Sequence, residues 1–139
     1  MKIEMTKTSE REFRCTTTTT SLLYYHFVFC PRHRRKIFLI PGLEKRFKEL
    51  VCQACTKNGI VLMAMECRID YVHIYVEAQP TLSPADIMRM VKVSTTKALL
   101  NEFADVLKGP TLWTRSYLAS TEKLSKEEIA KYVESQRKR

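Results

Sequence analysis

The chain has 139 residues, enough for one domain with a real hydrophobic core and too short for two. Hydrophobic residues make up 45% and charged residues 28%, an ordinary globular balance rather than that of a disordered chain. Lys and Arg number 24 against 15 Asp and Glu, a formal net charge of +9, so a polyanion is the partner to expect, either nucleic acid or an anionic membrane surface.

The N-terminal MKIEMTKTSEREFRC is polar and mixed in charge, with no apolar core of the signal-peptide kind. The longest apolar-rich run, LLYYHFVFC, is far too short to span a bilayer, so a cytoplasmic protein without a membrane partner is expected. Residues 1–20 read as a tail that ends in five threonines, Thr16 to Thr20, and residues 21–139 as a single domain.

SLLYYHFVFC reads as a strand buried on both faces, broken by the basic PRHRRK. In LEKRFKELVCQACTKNG, Leu43, Phe47, Leu50, Val51 and Ala54 form one helical stripe, and Asn58-Gly59 supplies the stop. IVLMAMEC is a second strand, RID a turn, and YVHIYVEA a third strand. Its alternation sends Val72, Ile74, Val76 and Ala78 to one face and Tyr71, His73, Tyr75 and Glu77 to the other. SPADIMRMVKVSTTKALLNEF is a second helix, capped by Ser83, with Pro84 at its first position and Asp86 completing a capping box. TLWTRSYLA reads as a fourth strand. A last helix starts near Lys126, where Ser125 and Glu128 make another capping box.

The order β-α-β-β-α-β with an extra C-terminal helix is the ferredoxin-like plan, an α+β fold with an antiparallel sheet and helices on one face. Many functions use that plan, so it decides none of them. The five cysteines are odd in number and scattered, against a disulfide framework. Cys52 and Cys55 have zinc-ligand spacing but lie in a helical pattern with no second pair, so buried thiols are the better reading. Arg32, Arg34, Arg35 and Lys36, then Arg89 and Lys92 on one helix face, and Arg115, are the groups suited to phosphate contact. Trp113 or Tyr117 could stack on unpaired bases. On the last helix, Tyr132 and Gln136 are four residues apart and share a face.

YYHFVFCPRHRRKIF, DYVHIYVEA, LSPADIMRMVK, LWTRSYLAS and IAKYVESQ, in that order and spacing, resemble the single-strand DNA transposases of the two-hundred/six-hundred-and-five insertion-sequence group, the one-tyrosine HuH nucleases. The resemblance runs from about Ser21 to the C-terminus. It implies a dimer that binds hairpin-bearing single-stranded DNA and cuts and rejoins it through a 5′-phosphotyrosine in DNA transposition. Tyr132 would be the nucleophile. His73 and Gln136 would hold a divalent metal, magnesium or manganese, and the first histidine of the motif falls at Tyr71. A phenol is a poor metal ligand near neutral pH, because its pKa is about 10. Ile69 where the family has proline, Val93 where it has glycine, and a glycine-free ASTEKL connector are further departures. They leave open a catalytically impaired descendant that binds DNA or RNA hairpins as a regulator.

Overall fold

The computed structural model describes residues 12–136. The greater part of the expected tail, residues 1–11, and the basic cluster that ends the chain at Arg139 lie outside it. The strands are β1 (Arg14–Cys15), β2 (Thr20–Ser21), β3 (Tyr24–Phe29), β4 (Val61–Cys67), β5 (Val72–Glu77) and β6 (Leu118–Ser120). The helices are α1 (Leu43–Lys57), α2 (Pro84–Glu102) and α3 (Lys126–Ser135).

β4, β5, β3 and β6 form one sheet in that order, every neighbouring pair antiparallel. With β3, α1, β4, β5, α2 and β6 following one another along the chain, this is the ferredoxin-like arrangement. β1 and β2 make a separate two-stranded ribbon. The threonine run closes that ribbon: Thr16 N donates to Thr19 O at 2.8 Å, and the two hydroxyls meet at 2.7 Å. Arg14 of this ribbon reaches the sheet, pairing with Glu77 at 2.6 Å and donating to Gly59 O at 2.9 Å.

Alternation along the central strands divides the molecule into two layers of contact. Phe27 and Phe29 of β3 and Val72, Ile74 and Val76 of β5 bury into the main core with Leu43, Phe47 and Val51 of α1 and Ile87, Met88 and Val91 of α2. Each fully buried aliphatic or aromatic side chain there contributes about 2–3 kcal/mol. Trp113 belongs to this core: it meets Phe29 edge-on at 4.9 Å, and its indole N–H donates to Thr95 Oγ1 at 2.9 Å. The opposite face carries Val28 and Cys30, covered by Ile129 and Val133 of α3.

Both capping boxes form. Ser83 and Asp86 bond reciprocally at the start of α2, as do Ser125 and Glu128 at the start of α3. The fourth strand differs from expectation. Only Leu118–Ser120 pair regularly, while Trp113 makes an isolated bridge to Pro31. Between the Val28–Leu118 pair and the Pro31–Trp113 bridge this segment has four intervening residues against two on the β3 side, so the register slips and Thr114–Tyr117 leave the regular ladder. The segment stays alongside through Thr114 N to Cys30 O at 3.0 Å and Arg32 N to Leu112 O at 2.8 Å.

After Pro31, His33 and Arg34 have φ of 60° and 51°, two consecutive side-chain-bearing residues in left-handed backbone. Each costs about 1–2 kcal/mol against the right-handed alternative. No helix among the described residues is long and apolar enough to cross a membrane.

Candidate active site

The face covered by α3 is built by register. β3 and β5 pair so that Val28 lies opposite His73 and His26 opposite Tyr75. Directly opposed residues project to the same side of a sheet. His26, Val28 and Cys30 therefore share a face with His73, Tyr75 and Glu77. Tyr71, one residue ahead of β5, packs against the cluster of Val28, Cys30, Ile129 and Val133, and so does Tyr132 of α3. The sheet thus brings His73, Tyr71 and the helix bearing Tyr132 and Gln136 to one side of the molecule.

His73 is partly buried, and burial pushes its pKa below the ordinary value, with Glu66 pulling weakly the other way. The ring is therefore neutral at pH 7 and keeps a lone pair. Its Nε2 lies 3.0 Å from Nδ1 of His26. His26 is 3% exposed and stacks on Tyr75, ring centres 4.2 Å apart and planes inclined by 21°. Burial raises the Tyr71 phenol above its usual value, so it stays protonated.

Tyr132 donates its hydroxyl hydrogen to Ser116 Oγ at 2.9 Å. The carbonyls of Ser116 and Thr114 each accept from Lys92 Nζ at 2.9 Å. Burial brings Lys92 down to about 8. Gln136 is 3% exposed; its Nε2 donates to Ser135 Oγ at 3.2 Å, while its buried Oε1 has no hydrogen-bond partner among the described residues. An orphaned carbonyl oxygen of that kind costs about 1–3 kcal/mol and calls for an explanation.

The basic residues sort into two groups. Arg34 bonds Asp70 Oδ2 through Nε at 3.2 Å and Nη2 at 2.6 Å, and Glu134 through Nη1 at 3.3 Å. Arg35 donates to Lys108 O at 3.1 Å and Thr111 O at 3.0 Å. Lys92 is committed to its two carbonyls and stands 5.5 Å from the centre of the Tyr117 ring. Arg32 is half-buried, and Lys36, Arg89 and Arg115 are exposed, Arg89 paired with Asp86 at 3.2 Å. Glu77, at the far end of the histidine face, is covered by Arg14.

Cys55 is buried and Cys52 half-buried on α1, and burial holds both thiols above their usual range, to about 12 for Cys55. No group of three or more His, Cys, Asp or Glu among the described residues is placed to hold a metal ion. His26 and Ser116 are the participants that reading the sequence missed. The signal for His26 was the β3 alternation, which puts it in line with Val28 and Cys30 and away from Phe27 and Phe29.

A family model described as "Transposase IS200 like" matches residues 19–136. The ISDra2 transposase TnpA of Deinococcus radiodurans is 25% identical over 118 residues, covering 82% of this chain and 84% of that one. The transposase for insertion sequence element IS200 of Salmonella typhimurium is 26% identical over 116 residues, covering 81% and 75%. Among solved structures, a transposase crystal structure from Deinococcus radiodurans R1 superposes with a TM-score of 0.78 at 24% identity, over 88% of this chain and 97% of that one. The structure of a REP-associated tyrosine transposase bound to a REP hairpin superposes with a TM-score of 0.53 at 12% identity, over 80% and 62%. At these identities the two superpositions speak to the fold.

Proposed function

The chain belongs to the IS200-like transposase family, and from that premise we propose that it binds hairpin-bearing single-stranded DNA and cleaves and rejoins it through Tyr132. The observation that carries the reading is the docking of α3. Ile129 and Val133 seat the helix on Val28 and Cys30, on the side of the sheet from which His73 projects. Tyr132 and Gln136 thereby share a side with the histidine.

In the proposed reaction the Tyr132 oxygen attacks a backbone phosphorus. The phosphorus–O3′ bond breaks, a 5′-phosphotyrosine forms, and the proton lost by the phenol is balanced by the one gained on the 3′ oxygen. The reverse attack by a 3′-hydroxyl rejoins the strand. Ser116 holds the phenol in one orientation before the attack. The exposed Lys36, Arg89 and Arg115, with Arg32, are the cations left for phosphate. Arg34, Arg35 and Lys92 act first on the protein itself. A homodimer is part of this reading, with DNA hairpins at element ends as the partner.

The expected metal ligands fit poorly as a set. Tyr71 is a protonated phenol where the family has an imidazole, and His73 Nε2 is engaged by His26. No reaction step is therefore drawn through an ion held by Tyr71, His73 and Gln136. The same two observations favour a second reading, a hairpin-binding descendant impaired in cleavage.

One gel assay separates the two. Hairpin-bearing single-stranded DNA is incubated with manganese and the native chain, Tyr71→His or Tyr132→Phe, and the covalent protein–DNA adduct is scored. The transposase reading expects an adduct from the native chain and none from Tyr132→Phe, whereas an adduct from Tyr71→His alone favours the impaired descendant. An adduct that persists in Tyr132→Phe, or none from any of the three, counts against the transposase reading.

A further inference from the structure

The stretch Glu12-Phe13-Arg14 is fastened to the sheet at both ends. The Tyr24 hydroxyl holds the backbone of Glu12, accepting from its N at 3.0 Å and donating to its O at 3.2 Å. Arg14 is held by both carboxylate oxygens of Glu77, through Nε at 2.8 Å and Nη2 at 2.6 Å. Between these ties Phe13 stays 64% exposed, the one exposed Phe, Tyr or Trp among the described residues. An exposed ring on a fixed backbone is a stacking surface.

Phe13 borders a cleft of about 420 Å³, within the range of small-molecule sites. The apolar wall is Val61, exposed at the start of the edge strand β4, and Met63. Met63 stands where the β4–β5 ladder slips between Leu62 and Ala64, and such irregularities re-aim a side chain. The polar groups of the cleft are unequal. Arg14 and Glu77 satisfy each other. Glu12 also lines the cleft, and its carboxylate takes no hydrogen bond or ion pair from a described residue.

We propose that this cleft holds one unpaired guanine of a single-stranded DNA, stacked on Phe13 and bonded along its Watson–Crick edge to the carboxylate of Glu12. With Arg14 neutralised, the cleft offers a phosphate no spare cation and sets a carboxylate against it, so it suits a base and not the backbone. Guanine alone among the DNA bases presents two adjacent donors, N1–H and N2–H, to the two oxygens of a carboxylate. Adenine and cytosine set a ring-nitrogen lone pair beside their amino group, and thymine flanks its single N–H with carbonyls. Val61 and Met63 shield the ring from water on the side away from the carboxylate.

The inference rests on the transposase reading for the source of the base, and on the cleft alone for its capture. Its test therefore uses mononucleotides, without hairpin or cleavage. The full-length protein is labelled on its methionine methyl groups, and the Met63 resonance is followed during titration with dGMP, dIMP, dAMP, dCMP or dTMP. All five share one phosphate, so their differences report the base. dGMP is expected to move Met63 and to bind about tenfold more tightly than dAMP, dCMP or dTMP, the worth of one bidentate pair. dIMP, which lacks the N2 amino group, should fall between. Glu12→Gln should abolish the preference for dGMP, and Phe13→Ala should weaken all five. Both residues are exposed, and Glu12 meets Tyr24 only through its backbone, so neither change removes a core contact. A still Met63, an equal response to all five nucleotides, or a preference that survives Glu12→Gln would overturn the proposal. Movement of Met63 on dilution of the protein alone would assign the cleft to a second copy of the chain and overturn it as well. Failure here leaves the adduct assay untouched, and a missing adduct says nothing against guanine capture.

Discussion

The hydroxyl of Tyr132 reaches across from α3 to Ser116 Oγ, 2.9 Å away, in the irregular segment just before β6. The same serine's carbonyl accepts from Lys92 of α2. One residue thus connects the proposed nucleophile to a helix on the other side of the sheet. Replacing the hydroxyl in Ser116→Ala removes a half-buried hydrogen bond and is expected to lower stability by about 1 kcal/mol. In urea the midpoint should fall with an unchanged slope. An unmoved midpoint would show that the bond adds nothing to the docking of α3.

Arg34 joins three places in the chain: its own strained turn, Asp70 just before β5, and Glu134 on α3. Both partners hold it in its charged form, Asp70 more strongly. These groups are partly exposed, so Arg34→Ala should cost only about 1 kcal/mol. The more telling readout is local. Amide exchange should quicken in the last turn of α3 and in the Asp70 turn, with little change in α1. Arg34→Lys should not restore protection, because an ammonium cannot replace the planar fork that serves both carboxylates. Equal quickening throughout the chain would contradict this clasp.

The pH profile of stability should have a peak. Lys92 sits at about 8 in the folded chain against an ordinary 10.5. Cys30 is pushed up to about 11, and Cys55 and Cys67 to about 12, from an ordinary 9.0, chiefly by burial. Between about pH 8 and 9 the folded chain has shed the Lys92 proton that the unfolded chain retains. Unfolding then takes up a proton, and stability rises with pH. Above about pH 9 the unfolded thiols ionise while the folded ones remain protonated. Unfolding then releases protons, and stability falls. Lys92→Met should remove the rising limb and keep the falling one in urea titrations from pH 7.5 to 10.5. A rising limb that survives in Lys92→Met would assign it to another group.

Cations should divide by function. The double change Lys36→Glu with Arg115→Glu is expected to weaken binding to hairpin-bearing single-stranded DNA at least tenfold. It should also flatten the plot of log affinity against log salt by about 1.4, at about 0.7 for each lost phosphate contact on a single strand. Arg35→Ala, which strips donors from Lys108 O and Thr111 O, should instead lower the unfolding midpoint and leave the salt slope alone. Fluorescence anisotropy over a sodium chloride series reads both. The reverse pattern would mean that Arg35 faces DNA and the exposed pair does not.

Local patterns were the legible part of this chain. The two-residue period of YVHIYVEA placed Val72, Ile74 and Val76 in the core and His73 on the other face, and Ser83 and Ser125 announced their helices. TLWTRSYLA looks like a continuous strand because Thr, Trp and Tyr favour β structure, but its register against the first central strand slips between Trp113 and Leu118, which only the partner strand reveals. Partners at long range were equally hidden. Arg34 reads as a phosphate contact until Asp70 and Glu134, 36 and 100 residues away, are seen beside it. His26 reads as an odd polar residue in an apolar strand until β5 is laid against β3 and His73 comes within 3.0 Å.

The capping box at Ser125 closes the first turn of α3, and in the last turn Ser135 Oγ donates to Tyr132 O. A helix of 10 residues cannot sustain itself in water, since isolated helices shorter than about 12–15 residues are marginal. Val133 against the sheet and Glu134 against Arg34 add to the hold on its last turn. Tyr132 and Gln136 lie in that turn, the one bonded to Ser116 and the other buried. Offering the phenol to a phosphate therefore means giving up the Ser116 bond first, so the reach of the tyrosine is governed by a residue outside its own helix.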